Sequence, residues 1–232
     1  MRVALRLRLG MEIPEIFDGV RCDGCRKQTV DPQGTHHLTC TSGGNELWIR
    51  HQQTLQAIHI ATKTTQKISQ ITDLHGILPD KTRRDGKKAE LIPDQLIMQF
   101  SPEGRDLLTD VTVVLPIAHT YIKKAVEPLG AAKEREQEKN VKDGYLAAAQ
   151  TVGKDFLPLA LEVYGAWGPG LQTFFAQLKQ IMKNKLPQDS QHTWTSSSWA
   201  SYHSQQIAIA LQKGNASSIL QRAQRDFRKS AH

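Results

Sequence analysis

Two aspartates sixteen residues apart are the side chains of this sequence best placed to do chemistry. Asp94 lies in Ile92-Pro93-Asp94-Gln95-Leu96-Ile97-Met98, and Asp110 in Leu107-Leu108-Thr109-Asp110-Val111-Thr112-Val113-Val114. Both runs are short, apolar and of strand character, and Ser101-Pro102-Glu103-Gly104-Arg105 between them reads as a turn. An antiparallel hairpin centred near position 102 sets residue 94 opposite residue 110. Directly opposed side chains share a sheet face, with Cβ atoms about 4.5–5.5 Å apart, and like charges there repel. Such a pair needs a compensating cation, and a hard divalent ion such as Mg²⁺ or Mn²⁺ suits two carboxylates. The competing reading is structural, with Asp94 following a proline at a strand entrance and Asp110 facing solvent. Alternation weighs against it. Asp110, Thr112 and Val114 share one face and Val111 and Val113 the other, as in a central strand covered on both sides. An aspartate in such a strand is costly unless satisfied.

A second cluster lies near the N-terminus. Cys22-Asp23-Gly24-Cys25 is followed by His36-His37-Leu38-Thr39-Cys40. Cys-x₂-Cys offers two thiolates from one turn, and His36-x₃-Cys40 offers the other pair. Four such ligands close a tetrahedral shell, so the expected metal is structural zinc held by Cys22, Cys25, His36 and Cys40. His37 competes for the fourth position, and x₃ spacing within one helical turn favours His36. Three cysteines cannot make a closed disulfide set.

The elements that must position these groups follow from periodicity. Leu55, Ile58 and Ala61 recur at helical spacing between residues 50 and 66, and Ile68–Leu74 reads as a short strand before Gly76. The two aspartate strands come next. A helical region is expected from about His119 to Val152, broken near Pro128-Leu129-Gly130, and a fourth strand at Phe156–Tyr164. A turn at residues 165–170 leads into a helix at Leu171–Lys183. A polar linker at Pro187–Ser198 precedes two helices, Trp199–Lys213 and Ala216–Arg228.

At 232 residues the chain has room for one sizeable core and a small added module. No apolar run approaches the roughly 20 residues of a membrane span. The opening Met1–Leu9 alternates charged and apolar side chains, lacks the apolar stretch of a signal peptide, and reads as the tail of a preceding domain. A net charge of +7 with an isoelectric point near 9.4 favours a polyanionic partner, nucleic acid first. Lys81, Arg83, Arg84, Lys87 and Lys88 form a basic loop just before Asp94, suited either to solvent or to gripping phosphate. Arg50 and His51 suit either a phosphate contact or a helix cap.

The order helix, three strands, helix, strand, with acids on the second and third strands, resembles the restriction-endonuclease-like PD-(D/E)XK core (αβββαβ). The whole chain resembles the region downstream of the reverse transcriptase in non-LTR retrotransposon polyproteins, which carries a zinc-knuckle motif and such an endonuclease domain. The resemblance runs from Leu5-Arg6-Leu7-Arg8-Leu9-Gly10 through the cysteine module, Arg50-His51, Pro93-Asp94 and Asp110-Val111-Thr112-Val113. It continues in Phe156-x-Pro158-Leu159-x-Leu161-Glu162-Val163-x-Gly165 and ends near Ala208–Ala216. It implies a mixed α/β fold divided into residues 1–48, a tail plus zinc module, 49–186, a nuclease core, and 187–232, a helical extension. It implies that Asp94 and Asp110 hold a catalytic Mg²⁺ or Mn²⁺ for hydrolysis of DNA, in the nucleus, with the element's RNA as a further partner. Thr112 stands where the third-strand lysine of the family is usual. Related elements carry a lysine on the next helix in a Lys-x₂-Lys-Tyr pattern, matched here by Lys139 and Lys142, with Asp143-Gly144 displacing the tyrosine to Tyr145. Asp73 and Glu162 are the candidates for a further acid.

Overall fold

The computed structural model describes residues 2–17, 19–42, 44–72, 74–82, 85–127, 130–183 and 198–230. Asp73, Arg83, Arg84 and linker residues 187–197 lie outside the described residues. The chain is a mixed α/β protein built on a four-stranded mixed sheet. Helix α1 (Arg2–Arg8) and the cysteine module, with one 3₁₀ turn at His36–Leu38, precede helix α2 (Glu46–Thr64). Strands β1 (Ser69–Gln70), β4 (Gln95–Ile97), β5 (Leu107–Val114) and β6 (Asp155–Glu162) follow in that spatial order. The first three pair antiparallel, and β5 pairs parallel to β6. A parallel neighbour requires a long crossover, here α3 (Gly130–Gln137), a π-helical turn (Glu138–Lys142) and α4 (Tyr145–Thr151). Helices α5 (Pro169–Lys183) and α6 (Trp199–Ser230) complete the chain. The basic segment expected as a loop is a small hairpin of β2 (Lys81–Thr82) and β3 (Lys88–Ala89).

Strand alternation assigns the two faces of β5 to different cores. Leu107 and Val111 pack with Leu55 and Ile58 of α2, Phe174 of α5 and Ile207 of α6. Leu108 looks the other way, onto Tyr145, Ala148 and Ala149 of α4 and Phe156. Asp110 shares this second face. The apolar runs of β5 and β6 are what a sheet covered on both sides requires.

Three expectations change. Residues 116–127 form successive turns rather than helix, so the crossover helix begins only at Gly130. The C-terminal pair of helices is one helix of 32 residues running straight through Gly214. Gly214 serves a close approach there: a Cβ would lie 2.7 Å from Arg50 Cγ and 3.0 Å from its Cα. Helix α6 is also no appendage, since Ile207 and Leu211 share a core with the sheet while Ile219 and Ala223 share one with the cysteine module.

His203 of α6 is 4 % exposed, has its ring centroid 4.7 Å from that of Trp199 with the planes tilted by 50°, and has a buried Nδ1 with no hydrogen-bond partner among the described residues. Burial lowers its pKa below the ordinary histidine value. Because the folded state holds it neutral, its contribution to stability is complete above the unfolded-state pKa and is lost as pH falls below about 6.5. His203→Phe should therefore flatten the fall in stability between about pH 7 and 5, measured by urea denaturation at stepped pH. An unchanged slope would show that His203 carries no part of the acid sensitivity.

Candidate functional site

The acid pair is set by register. Gln95 pairs with Thr109, Leu96 with Leu108 and Ile97 with Leu107, so the next pair outward is Asp94 with Asp110. The Asp94 amide still donates to Thr109 O at 2.9 Å, and β4 then leaves the ladder at Pro93, which has no N–H to offer. Asp94 Oδ2 replaces the lost ladder acceptor by receiving the Val111 amide at 2.7 Å. Its other oxygen, Oδ1, lies 3.1 Å from His51 Nε2. Asp110, 4 % exposed, has Lys139 Nζ at 2.8 Å and the Thr112 hydroxyl at 3.2 Å from Oδ2.

The pair therefore already has partners within the chain. A divalent ion is the compensation expected from sequence, yet Lys139 neutralises Asp110 and His51 faces Asp94. Burial pushes the Asp110 carboxyl above its ordinary value and Asp94 adds to this, against the opposing fields of Lys139 and His51. Burial works to lower the His51 pKa, but the hydrogen bond and charge of Asp94, with Asp110 behind it, hold it above the usual histidine range.

Lys139 reaches the sheet because of its local backbone. The π turn, closed by the Asp143 amide on Glu138 O at 2.8 Å, is pinned by Arg135, which bridges Glu138 at 3.1 Å and Asp143 at 3.2 Å. Tyr121 adds its hydroxyl to Glu138 at 3.0 Å. Gly144 then takes φ +83°, a left-handed conformation that glycine adopts without strain, and starts α4. The wide turn accommodates Asp143 and Gly144 between Lys142 and Tyr145. Tyr145 returns to Lys139, whose Nζ sits 4.8 Å from the ring centroid, and donates its hydroxyl to Ile92 O at 3.2 Å. Single π turns recur at functional sites for this reason: they re-aim one side chain.

Several expected site residues lie elsewhere. Lys142 does not reach the sheet; its side chain is 73 % exposed and leans on Glu138 at 3.5 Å, because the π turn rotates Lys139 inward in its place. Glu162 pairs in register with Val114, four residues past Asp110 and so about 13 Å along the strands. Arg50 is no DNA contact: it is buried, donating to Leu38 O at 3.2 Å and Asn215 Oδ1 at 3.3 Å. His51 faces Asp94 rather than open solvent. Helical spacing carried that signal, since His51 heads the stripe of Leu55, Ile58 and Thr62, all buried. Lys81 donates to Lys142 O, which ties the basic hairpin to the π turn, and Lys87 and Lys88 are exposed beside it.

The cysteine cluster is gathered as its spacing predicts. Cys22, Cys25, His36 and Cys40 bring their ligand atoms within 4.8 Å of one another. Cys22 Sγ and Cys40 Sγ are 3.8 Å apart, and Cys25 Sγ is 3.5 Å from His36 Nε2. With Zn–S of about 2.3 Å and Zn–N of about 2.0–2.1 Å, a tetrahedron separates two sulfurs by about 3.8 Å and sulfur from nitrogen by about 3.5 Å. Asp31 fixes His36 by accepting the Thr35 and His36 amides, each at 2.9 Å. His37 is turned away, fully buried with Nε2 2.7 Å from Asp226. Among the described residues this is the one group of three or more such ligands gathered tightly enough to hold a metal; Asp94, Asp110 and His51 do not form another.

No family model matches the chain, and no curated protein matches it.

With side chains only 13 % and 6 % exposed, Lys139 and Asp110 form a buried pair. Lys139→Met strands a buried carboxylate and should cost about 3–5 kcal/mol of unfolding free energy, whereas Asp110→Asn with Lys139→Met should cost far less than the two changes summed. Additive losses in a double-mutant cycle by urea denaturation would show that the pair does not couple.

Proposed function

We propose that this chain is a metal-dependent DNA endonuclease domain with a structural zinc module, as its resemblance to the region after the reverse transcriptase of non-LTR retrotransposons implies. The observation that carries the reading is the meeting of two opposed carboxylates and a lysine at one point of the sheet, Lys139 lying 2.8 Å from Asp110. The donor chemistry fits a hard divalent ion: Asp94 and Asp110 are the residues that would hold Mg²⁺ or Mn²⁺. When bound, such an ion polarises a phosphate oxygen and acidifies a coordinated water. Asp94 is held in place by the Val111 amide, and Lys139, released from Asp110, is the cation available to a phosphate whose charge grows in the transition state. His51 orients Asp94. The hairpin lysines Lys87 and Lys88 offer backbone contacts, and a nick would leave the 3′ end that reverse transcription of the element's RNA needs.

One observation favours a second reading, a nucleic-acid-binding domain that no longer cuts: Lys139 and His51 of the chain itself already face the two acids. Nicking of supercoiled plasmid separates the two. The endonuclease reading expects relaxed circles with Mg²⁺ or Mn²⁺, and a loss of at least about a hundredfold in Asp110→Ala and in Lys139→Ala, the latter the size expected for removing one transition-state cation. Salt-sensitive binding without nicking in either metal would leave the second reading standing.

The zinc assignment has its own check. Elemental analysis of freshly reduced protein should find one zinc per chain, and Cys40→Ser should lose it together with the fold of residues near 20–45, because metal binding and folding are one process in so small a module. Zinc-free, folded wild type would contradict it.

A further inference from the structure

Helix α6 carries a second stripe on its open side. Tyr202, Gln206, Ile209, Lys213, Ala216 and Leu220 follow one another at alternating steps of four and three residues, the spacing of a helix that meets another along a seam. These six residues floor two cavities of about 660 and 600 Å³ that meet at Ile209 and Lys213. Ala4 and Leu5 of α1 wall the first, and Ala57 and Ile60 of α2 wall the second. The fold leaves this stripe uncovered: Tyr202 and Ile209 are each 40 % exposed, with Leu5 and Ile60 exposed beside them. From Tyr202 to Leu220 it runs about 27 Å, or about five turns of helix. None of Asp94, Asp110, Lys139 and His51 lines the groove. We propose that it is a docking groove for an amphipathic α-helix of a partner protein, one whose apolar stripe is flanked by acidic side chains.

The chemistry of the groove selects that occupant. Small side chains at Ala57, Ala208 and Ala216 let a second helix axis come close. Lys213 stands in the middle of the stripe, where an apolar residue would pack. A lysine at such a position fixes register and partner at a cost in stability. Neither cavity has an aspartate or glutamate in its walls. Arg8 and Lys213 are exposed there and make no ion pair among the described residues. Acids on an incoming helix would therefore meet unspent positive charge, and complementary charge selects among partners. A second copy of this chain would instead bring the same two cations, and like charges across an interface are costly.

The test is fluorescence anisotropy of the zinc-loaded full chain with a labelled helical peptide of about 21 residues, its heptads carrying leucine at both apolar positions and glutamate on either side. A second peptide has lysine in place of every glutamate. Wild type should bind the acidic peptide about tenfold or more tighter than the basic one at low salt. Ile209→Ala should weaken binding of the acidic peptide about fivefold or more. Lys213→Glu should reverse the preference between the peptides, a change that damage to the fold would not produce. Val126→Ala, at an exposed apolar residue outside the groove, should change nothing. Failure of the acidic peptide to bind more tightly than about 1 mM would overturn the proposal. So would binding unmoved by Ile209→Ala, or a preference that survives Lys213→Glu. A dimer in sedimentation that Ile209→Ala dissociates would also overturn it, by giving the groove to a second copy.

Discussion

Two carboxylates fixed on one face of an apolar sheet repel by about 3 kcal/mol at a separation near 5 Å and an effective dielectric constant near 20. The register that opposes Asp94 and Asp110 is not negotiable, because slipping it by one residue would turn Leu96 and Leu108 out of their core. The surrounding structure therefore has to set partners against the two acids, and it does so from two directions. Helix α2 brings His51 to Asp94, and the crossover between β5 and β6 brings Lys139 to Asp110. The π turn, the Arg135 bridge and the left-handed Gly144 all serve to aim that one lysine.

This arrangement gives the site a dual character. Without a divalent ion it is an internally neutralised pair that contributes to the fold, with Asp94 also completing the ladder at the end of β4. Binding a metal would exchange Lys139 for the ion at Asp110 and free the ammonium for a phosphate. On the proposed endonuclease reading, the same groups would be structural without the ion and chemical with it.

The strand pair, its register and the cysteine cluster were legible from sequence because each depends on local spacing: alternation for β5, a central turn for the hairpin, and Cys-x₂-Cys with His-x₃-Cys for the cluster. Four strands were readable one by one, and their mixed sheet was what the resemblance implied. What escaped depends on contacts distant in the chain. Gly214 reads as a helix breaker, yet it lets α6 pass against Arg50, 164 positions earlier. Arg50 reads as a surface cation, yet α6 buries it. Lys142 and Lys139 differ only by the pitch of one turn, and a π turn has no reliable sequence signature. The spacing to Cys40 favoured His36, but the partner of His37, Asp226 near the other end of the chain, could not be read from it.

The endonuclease reading stands on the opposed aspartates binding a divalent ion although Lys139 and His51 already face them. The most direct measurement is the thermal stability of zinc-loaded protein against rising Mn²⁺ or Mg²⁺, in wild type and in Asp110→Asn. Stability should rise as RT ln(1 + [L]/Kd) in wild type and stay unchanged in the variant. A flat response in wild type, or an equal rise in both proteins, would contradict it.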